Sequence, residues 1–255
     1  MRFIGLLSGG KDSVYNIMEC IKHGHELVAV AHMQPPPKVN ELDSFMYQTV
    51  GSEAVRGIAE CLGVPIFIRT IEGGQKRADL EYVKTDGDEV ESLYLLLQEA
   101  IEALLREGVR VEAVSSGAIL STYQKNRVEN VCERLGLTSL AYMWEREQPE
   151  LLGEMIESGL TAILIKVACM GLDRRHVGKT LGQLQAYLLR IKEEYGVNVC
   201  GEGGEYETFV IDAPIFKKRI VIDESELVEH SKDYFAPVIY MRILKYHIED
   251  KDVEN

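Results

Sequence analysis

Apolar residues fill positions 3–7 without a break and then give way to a polar turn, Ser8-Gly9-Gly10-Lys11-Asp12-Ser13. Val14, Ile17, Met18 and Ile21 follow at the spacing of one helical face until Gly24. The pattern predicts a strand, a tight loop and a helix. The same alternation continues, with strands predicted over 26–32, 65–69 and 113–116 and helices over 13–22, 51–62 and 86–107. Each helical pattern closes near a glycine, at Gly24, Gly63 and Gly108. A β-α-β-α order implies parallel strands with helices on both faces. Such sheets bind ligands beyond the carboxyl ends of their strands, where strand order reverses, and the 8–13 loop lies on that rim.

Two polar excursions interrupt the pattern, over 34–49 and 73–88. The first opens Gln34-Pro35-Pro36-Pro37, which continues neither a helix nor a central strand. Further on, a helix is predicted over 121–135, a short apolar piece over 139–142, a helix over 149–158, a strand over 161–167 and a helix over 179–195. Beyond Cys200 the texture changes. Positions 209–212, 219–223 and 238–246 are rich in β-branched and aromatic residues with little helical period. The expectation is an α/β chain with a second region carrying its own small sheet, joined near 137–147. No repeat or low-complexity segment occurs, and only the last few residues read as disordered.

Composition narrows the class. A chain of 255 residues, 46% apolar and 27% charged, can bury a substantial core as one large domain or two modest ones. No apolar run approaches bilayer length and no leader pattern precedes the first strand, so the expected setting is the cytoplasm, without membrane contact. The net charge of −13 repels nucleic acid, and Lys217-Lys218-Arg219 reads better as the exposed start of a strand than as a binding patch. Direct nucleic-acid binding is therefore not expected. Five scattered cysteines form no C-x-x-C pair and the six histidines show no metal-ligand spacing, which points to reduced, mostly buried thiols.

Three segments carry candidate chemistry. Glycines in the first loop let a polyphosphate approach the backbone, and the following helix start points its free N–H groups at it. The ordinary alternative is a strand–helix turn capped by Asp12 or Ser13. The second segment runs from Gly117 to Asn130 after the fourth strand. There Ser121 and Gln124 form an S-x-x-Q capping pattern, while Gly117 could admit a nucleotide and Arg127 could face phosphate or carboxylate. The third is Gly201-Glu202-Gly203-Gly204-Glu205-Tyr206-Glu207-Thr208. It suits a cation better than an anion, or is simply an exposed turn. Two other patterns are decoys. Gly178-Lys179-Thr180 lacks the earlier glycine of a phosphate loop and reads as a helix cap, and His23-Gly24-His25 reads as a helix-end cation site.

The Ser8–Ser13 pattern matches the SGGxDS signature of the PP-loop ATP pyrophosphatases. Together with positions 41–51, Gly117–Asn130, Gly201–Thr208 and Phe235-Ala236-Pro237-Val238, the chain resembles the diphthine–ammonia ligase family. The wording of 46–51 is closest to its eukaryotic versions. The resemblance implies a HUP-like nucleotide-binding domain over 1–138 and a smaller α+β substrate domain over 139–255. It further implies ATP-dependent amidation of diphthine to diphthamide on translation elongation factor 2, with Mg²⁺ and ammonium, through an acyl adenylate that releases AMP and pyrophosphate. Ser8, Gly9, Gly10, Lys11, Asp12 and Ser13 would hold the triphosphate, with Asp12 on the metal. Gly117 and Ser121 would lie near adenosine, and Gln124 and Arg127 near the adenylate. Substrate contacts would fall to Tyr47, Gln48, Gln124 and the loop residues Glu202, Gly203, Gly204, Glu205, Tyr206 and Glu207. A PP-loop tRNA-modifying enzyme and a non-catalytic ATP-binding protein are the alternatives, and a homo-oligomer is left open.

Overall fold

A computed structural model describes residues 1–37, 46–76, 79–231, 233 and 235–251. Positions 41–45 of the family-like stretch and the tail expected to be disordered lie outside them. In chain order the elements are β1 (Arg2–Leu6), α1 (Lys11–Lys22), β2 (Glu26–Gln34), a 3-10 turn (Ser52–Ala54) leading into α2 (Val55–Leu62), β3 (Ile66–Thr70) and α3 (Glu89–Arg106). Then come β4 (Ala113–Ser115), α4 (Thr122–Leu135), β5 (Thr138–Leu140), α5 (Gln148–Glu157), β6 (Thr161–Val167), α6 (Leu181–Tyr195), β7 (Tyr206–Asp212), β8 (Lys218–Ser231) and β9 (Val238–Asp250). Contacts divide the chain into two units, one of residues 1–8, 12–52 and 64–144, the other of residues 9–11, 53–63 and 145–255. The second unit takes in 9–11 and α2 as well as the later residues, and α2 packs on β8 and β9.

The first unit is built on a five-stranded sheet in the order β3-β2-β1-β4-β5, with every pairing parallel. Its order reverses between β1 and β4, so the loops leaving these two strands flank the switch point. Helices cover both faces, as the alternation along β1 shows. Ile4 joins a core of Ala29, Ala31 and Met33 from β2 with Val90, Leu93 and Leu97 from α3 and Val128 and Val131 from α4. The next residue, Gly5, faces the other way, and a Cβ there would come within 2.6 Å of Ile17 on α1. Its missing side chain is what lets α1 lie close on the sheet.

The second unit holds a four-stranded sheet in the order β7-β6-β9-β8, antiparallel throughout. β8 and β9 form a long ribbon paired from Lys218↔Asp250 to Ser231↔Val238, with irregular register near Ile222 and Glu229. α2 lies on this ribbon where Gly57 leaves room for the ring of Tyr246. α6 packs on β6 and on α5, and it starts with a complete capping box between Thr180 and Gln183. That cap accounts for Gly178-Lys179-Thr180 without any phosphate. No described helix is long and apolar enough to cross a membrane.

Candidate active site

At the end of β1 the chain leaves the sheet in an ordered way. Leu7 N–H donates to Ala31 O at 2.9 Å, the last backbone link to β2. Ser8 then turns back on the coming helix, with its N–H and its hydroxyl each 3.3 Å from Ser13 Oγ. α1 begins at Lys11, two residues earlier than its apolar spacing indicates, so Asp12 and Ser13 sit in the first helical turn. The positive end of the peptide dipoles favours the Asp12 carboxylate there, and would favour a phosphate equally.

The loop after β4 meets this helix start. A Cβ on Gly117 would lie 2.8 Å from Asp12 C and 2.8 Å from Ser13 N. The absence of a side chain at Gly117 is thus what lets the α1 backbone approach the loop after β4. Ser121 caps α4, its side chain accepting from Gln124 N–H at 3.3 Å. The structure therefore brings Ser8, Asp12, Ser13 and Gly117 together at the switch point of the first unit, with Ser121 and Gln124 opening α4 at the end of the same β4 loop.

Residues 9–11 belong to the second unit, where they line the outer edge of β7. Gly9 O accepts from Val210 N–H, and Lys11 N–H donates to Thr208 Oγ1, both at 2.9 Å. Gly9 adopts φ +95°, a conformation that favours glycine, and a Cβ there would sit 3.1 Å from Val55 and 3.3 Å from Phe209. The Lys11 side chain is buried, donates from Nζ to Cys200 O, and has Nζ 5.4 Å from the centre of the Tyr206 ring.

The acidic glycine loop is held largely by its own contacts. Glu205 binds its own loop, accepting from Asn198 N–H, Asn198 Nδ2 and Gly203 N–H at 2.7–2.9 Å. Glu207 pairs with Lys166 at 3.1 Å, and the buried Tyr206 donates its hydroxyl to Val199 O at 2.6 Å. The cation on the Tyr206 ring is Lys11 of the same chain. Glu202 is half-buried, while Gly203 and Gly204 are exposed.

Arg127 lies on α4. It is fully buried, donates to Tyr123 O and Asp79 O at 3.3 and 3.1 Å, and lies over the rings of Tyr123 and Tyr82. Asn126 and Asn130 donate to the carbonyls of Leu80 and Tyr82, so α4 pins the 79–82 segment. Tyr47 donates to Glu89 O at 3.4 Å, and burial together with the Glu89 charge drives its phenol pKa well up. Gln48 Nε2 donates to Val50 O at 3.1 Å. Tyr47 and Gln48 are both half-buried.

The cysteines are all free, and four of the five are buried. Burial raises Cys20 and Cys132 to about 12 and Cys61 and Cys169 to about 11, so these thiols stay protonated and unreactive at neutral pH. His23 bonds Glu19 O through Nδ1 at 2.8 Å and stacks on Tyr142, while His25 Nε2 lies 2.7 Å from the Tyr142 hydroxyl. Their partners are those of a helix end. One polar residue beside the glycine loop was not foreseen, the buried His32 at the carboxyl end of β2. Its signal was a histidine closing an otherwise apolar strand.

Two family models match the chain, the diphthamide synthase N-terminal domain over residues 1–139 and the diphthamide synthase C-terminal domain over residues 147–246. The chain belongs to the diphthine–ammonia ligase family. A protein of Danio rerio named diphthine–ammonia ligase is 55% identical over 254 residues, covering 98% of each chain. The Homo sapiens protein of that name is 53% identical over 255 residues, covering 98% of this chain and 94% of its own. In Schizosaccharomyces pombe the identity is 48% over 98% of this chain, but that protein is longer, and only 40% of it is covered. Membership makes this chain a carbon–nitrogen ligase and accounts for the HUP-like sheet.

Proposed function

We propose that this ligase amidates diphthine to diphthamide on translation elongation factor 2 in the cytoplasm, consuming ATP and ammonia and releasing AMP and pyrophosphate. The observation that carries it is the Ser8–Ser13 loop at the switch point of a β3-β2-β1-β4-β5 parallel sheet. There the start of α1, with Asp12 and Ser13 in its first turn, lies on the rim on which such sheets take nucleotides.

The chemistry needs a leaving group better than oxide. The diphthine carboxylate attacks the α-phosphorus of ATP, the bond to the bridging oxygen breaks, and pyrophosphate departs. Ammonia then attacks the acyl carbon and loses a proton, and AMP leaves. Ser8, Gly9, Gly10 and Ser13 hold the β- and γ-phosphates, and these donors stabilise the charge that builds on pyrophosphate. Lys11 adds positive charge once ATP draws it from Cys200 O. No group of three or more ligating side chains among the described residues could form a protein cage for a metal. That fits Mg²⁺ arriving on the triphosphate with one carboxylate, that of Asp12, to receive it. Mg²⁺ would neutralise phosphate charge there. Gly117 and Ser121 border the adenosine side. Gln124, with Tyr47, Gln48 and Glu202, remains toward the substrate, while Arg127, Glu205, Tyr206 and Glu207 serve from behind by fixing α4 and the acidic loop. The net charge of −13 and the lack of a C-x-x-C pair weigh against a tRNA-thiolating alternative.

Incubation with diphthine-bearing elongation factor 2, ATP–Mg²⁺ and ammonium tests the proposal by mass spectrometry of the modified histidine. The acid should become the amide, and the Asp12→Ala enzyme should leave it unchanged. Unaltered acid after full incubation with wild-type enzyme contradicts it.

A further inference from the structure

Two polar contacts of His32 tie the end of β1, just before the glycine loop, to a turn at Ser52 in the same unit. It is 2% exposed and lies near the end of β2, opposite Ile68 of β3. Its Nδ1 is 2.8 Å from Leu7 O, and its Nε2 is 2.6 Å from Ser52 Oγ. A carbonyl oxygen only accepts, so Nδ1 carries the proton, and Nε2 of the neutral ring accepts from the Ser52 hydroxyl. An apolar residue would fill this place in the run Ala29-Val30-Ala31-His32-Met33 at no polar expense. An imidazole there is tolerated because both nitrogens are bonded.

The bonded carbonyl is the important part. Leu7 C=O and Ser8 N–H are two ends of one planar amide. Ser8 N–H is the group that reaches Ser13 Oγ and opens the glycine loop. A donor on the carbonyl end fixes the plane of that amide and polarises its N–H. Gly9 and Gly10 follow at once and have the widest backbone freedom in the chain, so an anchored first amide limits where the loop can go.

We propose that His32 is a positioning residue for the triphosphate loop, holding its first amide in place, and that Ser52 locks the ring in the tautomer this requires. The inference rests on the proposed nucleotide-binding role of the 8–13 loop. Asparagine can replace the Nδ1 donor and glutamine the Nε2 contact, so the two substitutions separate the two ends of the ring. The test is equilibrium binding of a non-hydrolysable ATP analogue to wild type, His32→Asn, His32→Gln and Ser52→Ala, together with nitrogen NMR of the His32 ring in wild type. The ring should carry its proton on Nδ1, and His32→Gln should bind roughly five- to tenfold more weakly than His32→Asn, the size of one buried hydrogen bond. Ser52→Ala, a change at a partly exposed position, should fall between wild type and His32→Gln. Melting temperatures of the two His32 variants should agree, which separates positioning from folding. A proton found on Nε2, or equal affinity for the Asn and Gln variants, overturns the proposal. Wild type that binds no triphosphate at all overturns the nucleotide role of the loop instead, and the ring nitrogens then decide the strut by themselves.

Discussion

Gly117 touches the peptide between Asp12 and Ser13 so closely that a Cβ would lie 2.8 Å from two of its backbone atoms. The loop after β4 and the helix after β1 thereby become one rim, and the proposed phosphate donors are braced from the side.

A Gly117→Ala substitution must push that backbone away, since no flexible side chain stands in the gap. The expected loss is about 1–3 kcal/mol of stability, the usual range for overpacking. Urea unfolding measures it, and steady-state kinetics should show a raised KM for ATP. Unchanged values of both contradict the contact.

Lys11 and Tyr206 should be energetically coupled, because the ammonium lies over the ring in a buried setting. A double-mutant cycle of Lys11→Met and Tyr206→Leu should give a coupling of about 0.5–2 kcal/mol. Tyr206→Phe keeps the ring and removes the hydroxyl that donates to Val199 O, so it should preserve most of that coupling. Additive single effects would contradict the arrangement.

Arg127 is tightly held, and lysine cannot replace its planar stacking between Tyr123 and Tyr82 or its two carbonyl contacts. Arg127→Lys should lower stability by about 2 kcal/mol or more, seen as a lower urea midpoint. Retention of wild-type stability with loss of turnover would instead place Arg127 in direct contact with the reaction.

These residues show what the sequence could reveal. The parallel α/β unit was legible because its strands are apolar runs and its helices close at glycines, and its observed strand ends, like those of β6 in the second unit, fall within two residues of those expected. The ribbon was not. β8 continues through Asp223, Glu224, Ser225 and Glu226, exposed residues whose polarity hides a strand, so it runs to Ser231 rather than stopping near 223. The Ser8–Ser13 loop was readable as a motif in its expected place. Arg127 was not readable, since its environment depends on Tyr82, which is far away in the chain. The contacts of the acidic loop were hidden for a related reason. Charge composition does not disclose that Glu205 closes on Asn198 and Gly203, or that Glu207 meets Lys166.

Acid sensitivity should come in part from Glu91. Burial pushes this carboxyl up, but the hydrogen bonds from Arg134 and Tyr82 outweigh it and leave the pKa below its ordinary value. A depressed carboxylate stabilises the fold fully above the unfolded glutamate value of about 4.3, and that contribution is lost as pH falls through the lower folded value. Unfolding free energies across this acid range should therefore decline less steeply in Glu91→Gln than in wild type. Identical slopes would contradict the assignment.

The transfer of one oxygen atom tests the central claim most directly. Diphthine labelled with oxygen-18 in its carboxylate is turned over with ATP and ammonium, and the nucleotide products are weighed. If the carboxylate attacks the innermost phosphorus held beside the glycine loop, the label is found in AMP. Label in inorganic phosphate, with ADP as the nucleotide product, contradicts the account.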